Sequence, residues 1–457
     1  MNEATMDSGA MKRVLIISYY FPPSGGPGVQ RVLKFVKYLL DYGWHPTVLT
    51  VAPEHASYPD LDPTLVEEIP DSVQVIRTRS WDPYAVYARV QGKQKEETVG
   101  VGFVKEEAAM GRTQRLARWI RANVFVPDAR VGWVPFALRA AKRLIAARPF
   151  DVVYTSGPPH STHLIGRSLK RRYGSPWVAD FRDPWTDISY YNDLPHTAAA
   201  RRLDAGLERS VLSEADIVLS VSDGVGRLLE ARAALRAYHT LPNGYDPADI
   251  PEPCEVRQSS EKRFVMAHVG TLTSQQHAAG LVQALTQRAE ADPAWRDRLE
   301  MRFVGHVDHS ILAAFQDAGL SDTLKRVPYV SHAEAIRHMQ EADVLMVAVQ
   351  RVEGNEGVVP AKTFEYLSLG TPVLGFGPPA GDLARVLRGT GGGAVFEHDD
   401  TEGIAAYIAG QAARAAGGLP PPRPDPAVLR AYDRRVQTGR LAAVFDSLTE
   451  KGTDHGS

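Results

Sequence analysis

Lys362 and Glu365 stand three residues apart at the head of a helical pattern that runs directly into an apolar strand-like segment. In Val358-Val-Pro-Ala-Lys-Thr-Phe-Glu-Tyr-Leu-Ser-Leu-Gly-Thr-Pro-Val-Leu374, the residues Tyr366, Leu367 and Leu369 form the apolar side of the helix, Gly370 closes it, and 372–376 reads as the next strand. The N–H groups of a first helical turn have no intrahelical partners and lie at the positive end of the dipole, so such an end suits an anion. Lys362 adds a full positive charge, and the Glu365 carboxylate can accept hydrogen bonds from two neighbouring ribose hydroxyls. The chemistry of this spacing is the holding of a nucleoside diphosphate. An ordinary αβ unit with a solvated Lys and Glu would carry the same residues.

Three further segments place reactive types at strand ends. Phe21-Pro-Pro-Ser-Gly-Gly-Pro-Gly28 is a glycine-rich turn, with Gly25, Gly26 and Gly28, between a first strand and a helix. Missing Cβ atoms let a ligand approach the backbone there. The spacing is neither a dinucleotide fingerprint nor a P-loop, since no Gly-Lys-Ser/Thr follows. Thr155-Ser-Gly-Pro-Pro-His160 sets a histidine just past a strand, and Asp180-Phe-Arg-Asp-Pro-Trp185 ends the next with two acids and an arginine. Ligands of open parallel sheets bind outside the carboxyl ends of the strands, so His160, Asp180, Arg182 and Asp183 are the candidates for chemistry. A histidine or aspartate at such a turn can equally be a cap or a solvated residue.

The elements that must position these residues alternate between strand and helix, which argues for an α/β chain with parallel sheets. Strands are expected at 13–18, 47–51, 73–77, 152–156, 178–181 and 217–221, and again at 264–269, 300–304, 327–329, 344–349, 373–376 and 394–396. The helix after the first strand has Val29, Val32, Leu33, Val36, Leu39 and Leu40 on one face, with Arg31, Lys34 and Lys37 outside it. A chain of 457 residues with 44% hydrophobic content has room for two or three cored domains. The economical reading is two doubly wound, Rossmann-like domains facing a cleft: residues 1–246, a polar linker at 247–262, and residues 263–418. A proline spacer, a bridging helix and a disordered tail follow over 419–457.

A net charge of −2 gives no global attraction to nucleic acid. Cys254 is the only cysteine, which excludes an intramolecular disulfide and a cysteine-based zinc cluster, and points to the cytoplasm. The first apolar run reads as a strand rather than a signal peptide, and no stretch is long and apolar enough to span a bilayer. Arg112, Arg115, Arg118 and Arg121 repeat every three residues among Leu116, Trp119, Ile120 and Val124. A helix there is basic and amphipathic, suited either to packing on its own domain or to peripheral contact with an anionic membrane face or a lipid-phosphate acceptor.

The Pro360 to Pro372 element resembles the donor-binding helix of retaining GT-B glycosyltransferases, especially the family 4 type, in which P-x-K-x-x-E-Y-L-x-x-G-x-P-V recurs. The resemblance implies a GT-B fold whose C-terminal helix returns to the first domain. It implies that Glu365 binds the ribose of a sugar nucleotide, and that the Gly25–Gly28 turn is the glycine loop closing on donor phosphates and acceptor. Pro242-Asn-Gly-Tyr-Asp246 resembles the P-N-G-x-D element near the interdomain junction. The chain departs from the pattern in three places. Gly357 stands where many members carry a first glutamate, with Glu356 one residue out of register. Arg182 occupies the best match to a family histidine, so Arg182 or His160 is left to contact the sugar. In Gly270-Thr-Leu-Thr-Ser-Gln-Gln-His277, Thr271 and Gln276 replace the usual diphosphate-clamping cations. Lys362, then Arg351, are the candidates to replace those cations, with Gly270 and Thr271 lining the donor loop.

The function implied is a hexosyltransferase-type enzyme, without cofactor or obligatory metal. It moves a sugar from a nucleotide diphosphate to a hydroxyl of a cell-envelope glycan, lipid-linked or small-molecule acceptor, with retention. A catalytically silent sugar-nucleotide-binding scaffold and a nucleotide-sugar epimerase, the latter using His160 with Asp183, remain as alternatives.

Overall fold

The computed structural model describes residues 11–58, 61–81, 112–188, 191–250 and 263–450. The segment 251–262, which holds most of the expected linker and Cys254, and the tail 451–457 lie outside the described residues. Two parallel sheets organise the chain. The first contains β1 (Lys12–Ile17), β2 (Trp44–Val51), β3 (Gln74–Thr78), β4 (Val152–Gly157), β5 (Trp177–Phe181), β6 (Ile217–Ser220) and β7 (Tyr238–Thr240) in the order β3-β2-β1-β4-β5-β6-β7. The second contains β8 (Phe264–Val269), β9 (Leu299–Val304), β10 (Leu324–Val327), β11 (Val344–Ala348), β12 (Val373–Phe376) and β13 (Gly393–Phe396) in the order β10-β9-β8-β11-β12-β13. Strand order reverses between β1 and β4 and between β8 and β11, so a crevice opens outside the carboxyl ends of each of these pairs.

The inner strands β1, β4, β8, β11 and β12 are buried on both faces because they are mainly apolar rather than alternating with polar residues. In β1, Val14 and Ile16 join one core while Leu15 and Ile17 join the core on the other face. Met266 and Ala267 of β8 divide in the same way. Two strand expectations need correction. The run at 327–329 pairs earlier, as Leu324–Val327 beside β9, because Pro328 has no N–H to continue the ladder. The short edge strand β7 went unnoticed, its three residues being too few for a pattern.

The helix Pro27–Tyr38 also corrects the sequence reading. Arg31 and Lys34, expected on its solvent side, are 0% and 1% exposed. The closing helix Arg434–Glu450 covers that side, placing Leu441, Ala442 and Phe445 in the first domain's core, where Phe445 meets Trp44 edge-on at 5.1 Å. Burying a side chain of this size stabilises by about 1.5–3 kcal/mol, which secures the return of the chain to the first domain.

The buried cations are satisfied by the crossover. Lys34 Nζ lies 2.9 Å from Asp246 and 2.6 Å from Asp249 and also pairs with Glu68. These three carboxylates are close enough to one another to resemble a metal cluster, but the Lys34 ammonium sits among them. Burial alone would raise the Asp246 carboxyl, yet Lys34 and the Tyr38 hydroxyl, 2.6 Å away, hold it down to about 2. Every residue of Pro242-Asn-Gly-Tyr-Asp246 has such a task. The Pro242 and Asn243 carbonyls accept from Arg31 and Gln437, and a Cβ on Gly244 would stand 2.0 Å from the Tyr432 carbonyl. Tyr245 pairs with Asp433. The element fastens the first helix, the crossover and the closing helix together.

Candidate functional site

The residues expected to hold the donor meet at the carboxyl ends of β8 and β11. Lys362–Ser368 is a helix of seven residues, ended past Ser368 by Gly370 at φ +72°. The expected free first-turn amides are partly used: Thr363 N–H donates to the Pro360 carbonyl and Phe364 N–H to that of Ala361. Positive charge for an anion therefore falls on the Lys362 side chain. Its Nζ stands 2.7 Å from where a Cβ on Gly270 would lie, directly over the loop that follows β8. Gly270 has φ +106°, a conformation L side chains rarely adopt.

His268 holds Lys362 there, and sequence reasoning missed it. Nδ1 of His268 is 3.0 Å from the Met346 carbonyl, and Nε2 is 3.3 Å from the Thr271 carbonyl. Nε2 also lies 3.1 Å from Lys362 Nζ, and with the ring proton on Nδ1 it accepts from that ammonium. Burial, with the Lys362 charge adding to it, lowers His268 to about 3, so the ring stays neutral. Burial lowers the Lys362 ammonium to about 8 against the opposing pull of Glu365. The signal was a polar residue inside the otherwise apolar run Phe264–Val269. Tyr366 adds a second tie, its hydroxyl accepting from Val269 N–H at 3.0 Å.

Glu365 is half-buried, and its carboxylate has no hydrogen bond among the described residues. Burial raises its carboxyl, while His332, Arg434 and Lys362 pull it down and Asp249 raises it further. A carboxylate held among cations without a direct partner has its acceptor capacity available. Arg351 is differently placed: it forms an exposed ion pair with Asp399 at 3.1 Å. Thr271 is exposed on the loop. Gln276 is locked, accepting from Thr273 N–H and donating to the Ala348 carbonyl at 2.7 Å, so it braces the loop where a clamping cation was expected.

Across from these residues, the Gly25–Gly28 turn follows β1. Gly26 caps the helix at φ 93° and ψ 167° and has open space where a Cβ would be. A Cβ on Gly28 would stand 2.1 Å from Arg182 Nη1. Arg182 reaches that place from the end of β5, braced by its Nε donating to the Gly157 carbonyl at 3.0 Å and by a second bond to Pro158. Burial lowers its pKa, opposed by Asp183 and Asp180. Asp183, half-buried beside it, is raised by burial and lowered by Arg182.

Asp180 departs from the expectation of a reacting group. It is 0% exposed, bound by Arg31 at 2.7 and 3.0 Å, by the Tyr154 hydroxyl at 2.7 Å and by Ser156 at 2.9 Å. Burial would raise its pKa, but Arg31 and these bonds bring it below the usual carboxylate value. With its oxygens engaged in the interior, it anchors Arg31 rather than facing the cleft. His160 is 7% exposed and stacks on Trp185 at 5.0 Å with 9° between the rings. Neither of its nitrogens makes a well-aligned hydrogen bond, and burial, His163 and Arg182 keep it neutral. No hydrogen bond joins it to Asp183 among the described residues.

Residues 25–244 match the family described as the glycosyl transferase 4-like domain. No curated protein matches the sequence. Among solved structures the chain is similar to sucrose-phosphate synthase from Thermosynechococcus elongatus, with a TM-score of 0.59 at 15% identity over 97% of this chain and 98% of that one. It is similar to HepE from Anabaena in complex with UDP-glucose, with a TM-score of 0.54 at 13% identity over 97% and 99% of the two chains. A third likeness is to WaaG, a glycosyltransferase involved in lipopolysaccharide biosynthesis, with a TM-score of 0.53 at 14% identity over 97% and 100%. These likenesses span both chains from end to end, and the fold they share with this chain is GT-B.

Proposed function

We propose that this GT-B chain, glycosyl transferase 4-like over its first domain, moves a hexosyl group from a nucleoside diphosphate donor to an acceptor hydroxyl with retention. The carrying observation is the pairing at the cleft of Glu365, a carboxylate without a direct partner, with Lys362, which His268 holds over Gly270. Glu365 takes the ribose hydroxyls and Lys362 the diphosphate. In the transfer step the acceptor oxygen bonds to the anomeric carbon as the bond from that carbon to the phosphate oxygen breaks, and the departing phosphate takes the acceptor proton. The protein contributes positioning and electrostatic stabilisation of the leaving diphosphate. The chemistry calls for no cofactor or obligatory metal. Arg182, presented at Gly28, faces the reacting centre from the acceptor side, which suits a cell-envelope glycan, lipid-linked or small-molecule acceptor handled in the cytoplasm.

Thermal shifts with UDP, GDP, ADP and their sugars, followed by an assay of nucleoside diphosphate release with and without acceptor, test the reading. Binding without release or transfer would identify a silent scaffold. Absence of any shift would overturn nucleotide binding itself. An epimerase needs an acid and a base facing the sugar, and His160, stacked on Trp185, has no hydrogen bond to Asp183 among the described residues.

Gly28→Ala would push Arg182 off the glycine loop. It is expected to lower transfer at least about tenfold, the loss of roughly one charge-assisted hydrogen bond, with nucleotide affinity nearly unchanged. An equal loss in both would place Arg182 on the donor side.

No helix among the described residues is long and apolar enough to cross a membrane. The helix Arg112–Asn123 exposes Leu116 and Trp119 at 59% and 45%, beside Arg115 and Arg118. Peripheral binding to an anionic membrane face is the expectation, and flotation with phosphatidylglycerol vesicles checks it. Binding should fall in Arg115→Glu/Arg118→Glu and vanish on neutral lipid. Binding unaffected by either change would contradict it.

A further inference from the structure

Gly357 has a structural use. Gly357 ends the turn Asn355–Gly357 after β11 and is buried against the first domain. A Cβ there would lie 2.7 Å from the Cα and carbonyl carbon of Gly224 and 2.8 Å from Val225 N. A Cβ on Gly224 would lie 2.1 Å from Gly357 Cα. All of these atoms are backbone, so no side chain can swing aside. Gly224 is the second residue of the helix Asp223–Arg232, at the carboxyl end of β6. Two hydrogen bonds flank the glycines and cross between the domains. Ser222 Oγ donates to the Gly357 carbonyl at 2.5 Å, and Gly224 N–H donates to Asp382 Oδ2 at 2.8 Å. Asp382 opens the helix Asp382–Thr390 of the second domain and is 5% exposed.

We propose that Gly224 and Gly357, with Ser222 and Asp382, form the docking point that sets how closely the donor half approaches the acceptor half. Gly357 lies five residues before Lys362, so the same contact fixes the chain that leads into Lys362 and Glu365. At this position stands a backbone-to-backbone contact that admits only glycine on both sides. The four residues are positioning residues, acting through the approach of the two domains. Their part in transfer rests on the transferase reading, whereas their part in domain docking does not.

Three variants of the full chain separate the two. Gly357→Ala and Gly357→Glu insert atoms into the contact, while Asp382→Ala removes the acceptor of Gly224 N–H without adding volume and serves if the larger changes impair folding. Gly410→Ala, at a site with nothing within 4 Å of the added Cβ, is the control. Hydrogen exchange of the peptide covering 222–229, without nucleotide, should accelerate at least tenfold in each test variant, and small-angle scattering should show a larger radius. With a nucleotide sugar, kcat should fall at least tenfold while the affinity for UDP, or for whichever diphosphate the wild type binds, changes less than threefold. Wild-type exchange and radius in Gly357→Glu would overturn the docking point. Faster exchange with unchanged kcat would overturn its positioning role. A protein that docks as described but binds no nucleotide would instead contradict the transferase reading.

Discussion

Glu365→Ala is expected to lower kcat/KM for transfer about 100-fold, roughly 3 kcal/mol, because two hydrogen bonds from ribose hydroxyls to a charged acceptor are lost. Folding should change little. The Glu365 carboxylate has no hydrogen bond among the described residues, and burial raises its pKa, so in the free protein its charged form is not well satisfied. Removing it relieves that cost while stripping the cleft of its ribose acceptor. Urea unfolding should therefore give a stability equal to or above the wild type. A nucleoside without phosphates should lose affinity as much as the diphosphate does, since both present the same ribose. Unchanged donor affinity would remove Glu365 from the site, and a large loss of stability would make it a structural residue.

Lys362→Ala should act differently on the two phosphates. A unit charge pair at about 4 Å is worth roughly 4 kcal/mol at an effective dielectric near 20. Affinity for the nucleoside diphosphate should fall about 100-fold, and that for the monophosphate only a few-fold, because the distal phosphate is the one left uncompensated. The pH dependence gives an independent sign. Burial lowers the Lys362 ammonium to about 8 in the free protein. As pH rises through that value the ammonium is lost, so diphosphate affinity should fall above pH 8, and by about tenfold per pH unit well above it. Lys362→Ala should show no such slope. His268→Leu should keep the charge but release its position, giving an intermediate loss of diphosphate affinity. Equal losses for the mono- and diphosphate in Lys362→Ala would point to packing instead.

The architecture was readable because parallel strands buried on both faces are written as continuous apolar runs with turn residues between them. The donor helix was readable because Pro360, Lys362, Glu365 and Gly370 lie within a single local pattern. What escaped depends on contacts between residues far apart in the chain. Asp180 looks like a cleft acid from its place at a strand end, but its partner Arg31 is 149 residues away on a helix face that looked solvent-exposed. The closing helix covers that face, and nothing in the local pattern of Pro27–Tyr38 signals the cover. Gly357 reads as a lost carboxylate until Gly224 is set against it. His268 was visible as an odd residue in an apolar strand, but its task is fixed only by Met346 on the neighbouring strand and Lys362 above it.

The most direct test of the site is a crystal structure of the protein with the nucleoside diphosphate that gives the largest thermal shift. The expected result has both ribose hydroxyls on the Glu365 carboxylate and the distal phosphate paired with Lys362 over Gly270. Arg182, at Gly28, should lie on the acceptor side of the cleft, out of contact with the phosphates. A nucleotide bound with its ribose away from Glu365, or its phosphates out of reach of Lys362, would contradict the assignment.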